Sequence, residues 1–284
     1  MRRRCVVSAL GGAVLVIGIS AQALANSDGY SFKYYGEWMT SWSGCTCVPT
    51  AQGLSYPDDQ INAFAAVMDA NQHQRVAVYG NHDVWAADIV EDGLGGADNV
   101  EADSADIYAF AGHGTVANDS NGQTYKSPRC TAGYSYNDCW LDSAAVRTNE
   151  STGAWATNRG SARWLVLLTC NSVDTDPSNQ WIETFNQSGT EYIVGYRGLS
   201  ADSFTTDEVA ADYATNSFVN STTFKAGWFS ATSDWWVDDT AEVISGGPSP
   251  AVATSNRDNY THSFRRRDNG WNVWSYVAWA WQQG

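Results

Sequence analysis

Four short apolar runs constrain what this chain can fold into: Arg75–Tyr79 (RVAVY), Ile107–Ala111 (IYAFA), Arg163–Thr169 (RWLVLLT) and Glu191–Tyr196 (EYIVGY). Each is five to seven residues long and rich in β-branched and aromatic side chains, with no helical spacing. Each therefore reads as a strand buried on both faces. Residues 26–56 add a strand followed by a loop around Cys45 and Cys47. A helix is predicted from Asp58 or Asp59 as cap, with Ile61, Phe64, Ala65 and Met68 on one stripe. Helices also fit Ser178–Gln187, with Trp181, Ile182 and Phe185 on one face, and residues 203–236, anchored by Phe204, Val209, Tyr213, Phe218, Phe224, Trp228 and Trp235. In the tail, Trp271, Val273, Ser275, Val277, Trp279 and Trp281 alternate as on a strand. The order strand, helix, three buried strands, helix predicts an α/β fold with a mostly parallel sheet covered on both faces. Residues 26–284 read as a single domain, with the polar stretch 115–162 as a long cysteine-containing insertion at its edge.

In such sheets ligands bind beyond the carboxyl ends of the strands. One run stops at Gly112-His113-Gly114 and another at Cys170. A thiol with an ordinary pKa of roughly 8.5 is mostly protonated at neutral pH. A neighbouring imidazole generates the thiolate and later protonates a leaving amine. Glycines flanking the histidine let the backbone turn sharply and approach a carbonyl. The amide N–H of Gly114, with that of Cys170, is placed to stabilise an oxyanion.

The first 25 residues have the form of an export signal: Arg2-Arg3-Arg4, an apolar run to Ile19, and Ala23-Leu24-Ala25 as cleavage site. Arg3-Arg4-Cys5-Val6-Val7 fits the twin-arginine route as well as the ordinary one. Cleavage leaves 13 basic against 31 acidic residues, a net charge of −18, and only Lys33, Lys126 and Lys225 as lysines. That balance excludes nucleic acid and an anionic membrane as partners and suits a secreted protein in high salt. Sequons at Asn118, Asn149, Asn186, Asn220 and Asn259 are compatible with an extracellular chain. The 14 tryptophans supply material for a large core. Of six cysteines, Cys5 leaves with the signal, so Cys45, Cys47, Cys130, Cys139 and Cys170 make an odd number. The four loop cysteines can form two bridges in three ways, of which Cys130–Cys139 is the simplest and Cys45–Cys47 would be strained, and Cys170 is the natural free thiol.

A block ending in His113-Gly114, followed about 57 residues later by one ending in Cys170, resembles the caspase–legumain–gingipain group of cysteine peptidases. A closer resemblance is to a family of secreted or surface prokaryotic proteins within that pattern. It rests on Gly112-His113-Gly114, Cys170-Asn171-Ser172, Gly195-Tyr196-Arg197-Gly198, Trp228-Phe229 and Tyr79–Ile89. The resemblance covers residues 58–236. It implies a three-layer α/β/α sandwich with His113 as base, Cys170 as nucleophile, a protein or peptide substrate, and no cofactor or metal. It also makes Asp88 the local candidate for a group that shapes the pocket or orients the histidine. Leu168-Thr169 before the cysteine departs from the small or Gln-Ala pattern of legumains and caspases.

Each residue has a plainer reading too. Asn171-Ser172 is equally a turn pair, Asp88 a solvated or capping acid, and Arg197 either a pocket cation for an acidic side chain or, the favoured reading, an ion-pair partner. Gly80-Asn81-His82-Asp83 matches a string found in two-metal phosphoesterases, but the accompanying ligand blocks are missing. A third possibility is an inactive member of the peptidase fold that binds at the cell surface.

Overall fold

The computed structural model describes residues 31–45, 52–119, 122–131, 138–147, 162–173, 181–187, 190–204, 206–233, 239–263 and 275–283. The expected signal, residues 1–25, lies outside them. The fold is mixed α/β, built on a large, mostly parallel seven-stranded sheet. In chain order its strands are β1 (Lys33–Trp38), β2 (Gln74–Gly80), β3 (Ile107–Ala111), β7 (Trp164–Leu168), β8 (Tyr192–Arg197), β9 (Thr240–Gly247) and β10 (Tyr276–Gln283). They lie in the order β2-β1-β3-β7-β8-β9-β10. The first five are parallel; β9 and β10 are each antiparallel to their preceding neighbour.

The predicted strands are present, but their burial differs in one case. β3, β7 and the first five residues of β8 are fully buried, whereas β2 is exposed along much of its length. It forms one edge of the sheet, with a neighbour on one side only. The tail strand β10 forms the other edge, so Trp279 and Trp281 face solvent; Trp271 and Val273 lie outside the described residues.

Helix α1 (Pro57–Ala70) buries Ile61, Phe64, Ala65 and Met68 against one face of the sheet, as their spacing predicts. Its start is corrected: Tyr56 is the N-cap, Pro57 opens the helix, and Asp58 and Asp59 lie in the first turn without capping it. Proline suits that position because its missing N–H has no acceptor there, and the acids oppose the positive end of the helix dipole. The predicted helix 203–236 is two helices, α3 (Val209–Ala214) with a π turn at Thr215–Val219, and α4 (Phe224–Ala231). The break falls at Ser221, in the left-handed region, and Thr223 then caps α4 through Ala226 N–H at 3.3 Å. On this face Trp164, Phe218, Phe224, Tyr192 and Tyr260 pack largely edge to face or tilted. Helix α5 (Pro250–Asn259) packs against β9 and β10.

The opposite face is covered differently. Residues expected as an edge insertion form a second, antiparallel sheet of β4 (Thr115–Asp119), β5 (Gly122–Pro128) and β6 (Trp140–Asp142). Tyr125, Cys130, Leu141 and Val146 from this region enter one core with Phe110, Leu165 and Leu167. The short helix α2 (Ile182–Gln187) adds Phe185, next to Trp181; its expected cap, Ser178, lies outside the described residues.

A polar network runs through this second core. Glu37 on β1 and Arg129 beyond β5 are both wholly buried, with Nη1 2.7 Å from Oε2. Tyr108 Oη donates to the same oxygen, and the guanidinium lies 3.4 Å from the Phe110 ring centre. Burial and the adjacent Glu37 carboxylate push the Asp88 carboxyl up to about 10, so Asp88 stays protonated and donates to Glu37. Arg129→Ala strands a buried carboxylate and is expected to cost about 3–5 kcal/mol. In contrast, Arg75→Ala, at a half-exposed pair with Asp69, is expected to cost less than about 1 kcal/mol in the same urea titration. An acid whose folded-state pKa is raised contributes stability that is complete at low pH and lost as pH climbs toward that pKa. Stability should therefore fall between about pH 5 and pH 9, and Asp88→Asn should flatten that slope.

Candidate active site

Strands β3 and β7 are parallel neighbours, with Ala111 opposite Leu168. The pairing continues one step further, Gly112 N–H donating to Leu168 O at 3.4 Å. His113 and Cys170 consequently leave the sheet side by side, at the carboxyl ends of adjacent strands. Gly114 then passes against the backbone of Cys170. A Cβ on it would collide with the Cys170 carbonyl oxygen and lie 2.8 Å from both Thr169 Oγ1 and the Tyr125 ring. Only glycine allows that approach. Among the described residues, the amide N–H groups of Gly114 and Cys170 donate to no other group.

The imidazole of His113 is held on two sides. Its ring stacks on Trp42, centroids 4.9 Å apart and planes 24° from parallel. Its Nε2 lies 2.7 Å from the Gln52 carbonyl oxygen. A carbonyl can only accept, so Nε2 carries the proton and Nδ1 is left with the basic lone pair. The His113 carbonyl accepts from Ser127 Oγ at 2.8 Å, and Ser127 Oγ also lies 3.4 Å from Arg129 Nε. Trp42 is itself fixed, donating its indole N–H to Pro128 O at 3.0 Å.

Cys170 is half-buried and carries a free thiol. Its Sγ lies 3.2 Å from Ser200 N and 3.5 Å from Ser200 O. The N–H suits a thiolate and the carbonyl suits a thiol, so each protonation state has a partner in place. The bridge expected between Cys130 and Cys139 is not formed: Cys45 is joined to Cys130, and Cys139 is bonded elsewhere. Arg129, not Cys130, lies opposite Cys139, its N–H donating to Cys139 O at 2.8 Å. Cys130 is one residue out of register, and strand side chains alternate in direction. The Cys45–Cys130 bridge fastens the turn after Trp42 to the end of β5.

The remaining predicted positions divide. Asn171 is a turn residue at φ 55°, its N–H donating to Gly198 O at 2.6 Å. Ser172 is buried and structural, accepting from Tyr196 N–H and donating to Leu167 O. Asp88 does not reach the His113 ring. Its carboxyl is used by Trp85 N–H and Glu37, and it connects to His113 only through Arg129 and Ser127. Arg197, at the end of β8, pairs with no carboxylate among the described residues. Its guanidinium instead lies 5.4 Å from the Trp281 ring centre, which corrects the favoured ion-pair reading. Asn81 takes a left-handed conformation, and its Oδ1 accepts from Thr40 N–H, Ser41 N–H and Thr40 Oγ1, so its side chain is committed to the turn. Among the described residues no group of three His, Cys, Asp or Glu is arranged to hold a metal.

Three contributors escaped sequence reasoning: Trp42, Ser200 and the carbonyl of Gln52. The last two act through backbone atoms, which residue type does not reveal. Trp42 lay near Cys45, but the pairing of that cysteine was needed to see where it goes.

The chain matches the family model described as "Domain of unknown function (DUF6345)" over residues 37–282 and belongs to that family. No curated protein and no solved structure was found to match it.

Removing the Cys45–Cys130 bridge releases a loop closed across 85 residues. The Cys45→Ala/Cys130→Ala variant is expected to lose about 4 kcal/mol of unfolding free energy. Its His113 ring resonances should broaden in NMR spectra as the Trp42 turn loosens.

Proposed function

We propose that this protein is a secreted cysteine endopeptidase of the caspase–legumain–gingipain type, using His113 and Cys170 as a dyad. One observation carries the reading: a free thiol and a tautomer-locked imidazole leave adjacent parallel strands at one rim, beside two unused amide N–H groups. The finer fold assignment, a three-layer α/β/α sandwich, is part of this proposal. Helices α1, α3 and α4 on one face and α2 on the other support it. Disulfides in the described residues support an oxidising, extracellular setting.

In the proposed reaction the Cys170 thiol passes its proton to His113 Nδ1, and the thiolate attacks the peptide carbonyl carbon. As the C–S bond forms, the π pair moves to oxygen, where the N–H groups of Gly114 and Cys170 stabilise it. Collapse breaks the C–N bond while Nδ1–H protonates the leaving amine, giving a thioester. Nδ1 then takes a proton from water as the hydroxide adds to the thioester carbonyl; collapse breaks the C–S bond, the acid leaves, and Nδ1–H returns its proton to the Cys170 sulfur. Stacking on Trp42 and the Gln52 carbonyl on Nε2 hold the ring in place while the proton moves at Nδ1.

A peptide acyloxymethyl ketone tests this. We expect one label per chain on Cys170, none in Cys170→Ala, and at least a 100-fold slower rate in His113→Ala. Absence of labelling in both low and high salt would refute the proposal in favour of an inactive binding protein.

A further inference from the structure

The loop following β8 grips the sulfur of Cys170 and also carries the two most solvent-exposed large apolar side chains among the described residues. Leu199 is 76% exposed and Phe204 is 71% exposed. Phe204 is predicted from sequence as a buried anchor, and the structure turns it outward.

This exposure belongs to a firmly held backbone. Gly198 O accepts from Asn171 N–H at 2.6 Å, and Ser200 N–H reaches Cys170 Sγ at 3.2 Å. Ala201 N–H donates to both oxygens of Asp239 at 3.0 and 3.2 Å. The buried Thr206 hydroxyl lies 3.0 Å from Ala201 O and 2.9 Å from Ser203 O. Asp202 crosses to the other side of the rim, its two oxygens accepting Ser55 N–H at 2.7 Å and Tyr56 N–H at 2.9 Å. Those residues continue the segment whose Gln52 carbonyl holds His113. One loop thus positions the nucleophile's neighbour, ties down the segment that orients the base, and presents two apolar groups to solvent.

Two large apolar side chains held in water on a tethered loop mark a contact surface. The chemistry around them selects its occupant. The only carboxylate on residues 198–204 belongs to Asp202, which is engaged by two amide N–H groups. The nearest cation in sequence, Arg197, lies over Trp281. No unengaged charge on the loop accompanies Leu199 and Phe204, and a net charge of −15 repels acidic chains. We infer that Leu199 and Phe204 form an apolar recognition ledge, and that the substrate is an extended peptide with bulky apolar side chains beside the bond to be cleaved. This inference rests on the peptidase reading for the place of that bond.

The test uses the full chain and three dipeptidyl acyloxymethyl ketones with Leu, Asp or Lys next to the ketone. The Leu probe should label Cys170 at least 10-fold faster than the others. Leu199→Ser/Phe204→Ser should slow it about 10-fold while leaving alkylation by iodoacetamide unchanged. Both positions are at the surface, so the double variant removes no core packing. Faster labelling by the Asp or Lys probe, or an undiminished Leu preference in the double variant, would overturn the ledge. If no ketone reacts and His113→Ala does not alter iodoacetamide alkylation, it is the peptidase reading that fails. The ledge is then judged by binding of a fluorescein-labelled Leu/Phe hexapeptide to Cys170→Ser protein. Roughly 10-fold weaker binding in the double variant sustains it, and equal binding overturns it.

Discussion

The ion pair between Glu37 and Arg129 governs how the two layers of this protein meet. Each side chain is wholly excluded from water, and a charge buried without a partner is strongly destabilising. Glu37 projects from the strand next to one edge of the large sheet; Arg129 directly follows a strand of the small one. The small sheet therefore cannot drift or detach without exposing both charges to an apolar core. Asp88 joins the cluster as a neutral acid, because a third charge beside Glu37 would add repulsion without a second cation. Tyr108 and Ser127 take up further bonding capacity of the pair, and Phe110 offers its ring face to the guanidinium.

That docking reaches the candidate site through short covalent and hydrogen-bonded steps. Ser127, two residues from Arg129, donates to the His113 carbonyl, and Pro128 accepts the indole N–H of Trp42. Cys130, the next residue but one, is bonded to Cys45 beyond Trp42. Contacts from Ser127, Pro128 and Cys130, at and just beyond the end of β5, thus set the backbone of the histidine and the aromatic ring beneath it. The opposite face of the sheet serves another purpose. Its helices and aromatic rings bury the strands that precede His113 and Cys170, and the loops above carry those two residues.

The meeting of His113 and Cys170 is a consequence of strand order. Parallel neighbours end at the same rim, so residues following β3 and β7 are brought together without any direct sequence relation. Glycine at position 114 lets the two chain segments touch, and Ser200, in the loop after β8, sets its N–H and carbonyl against the sulfur. Positioning depends largely on backbone carbonyls and amides, which makes the arrangement insensitive to much side-chain change nearby.

Local pattern was enough to reveal the strands, the apolar stripe of α1, and the histidine and cysteine at two strand ends, because period and flanking glycines are written within a few residues. The free thiol was legible too, from an odd cysteine count and the place of Cys170 after a buried run. Long-range pairing decided the rest. Nothing in RVAVY distinguishes an edge strand from an inner one, since that depends on which neighbour is missing. The polar stretch from Thr115 looked like an appendage because its buried groups, Arg129 and Tyr125 among them, are ordinarily surface residues; they became interior only when Glu37 and Thr169 arrived as partners from distant strands. The Cys45–Cys130 bridge, the Gln52 carbonyl on His113, and the outward turn of Phe204 likewise arise where segments far apart in the chain meet, and such meetings are set by register and packing rather than by residue type.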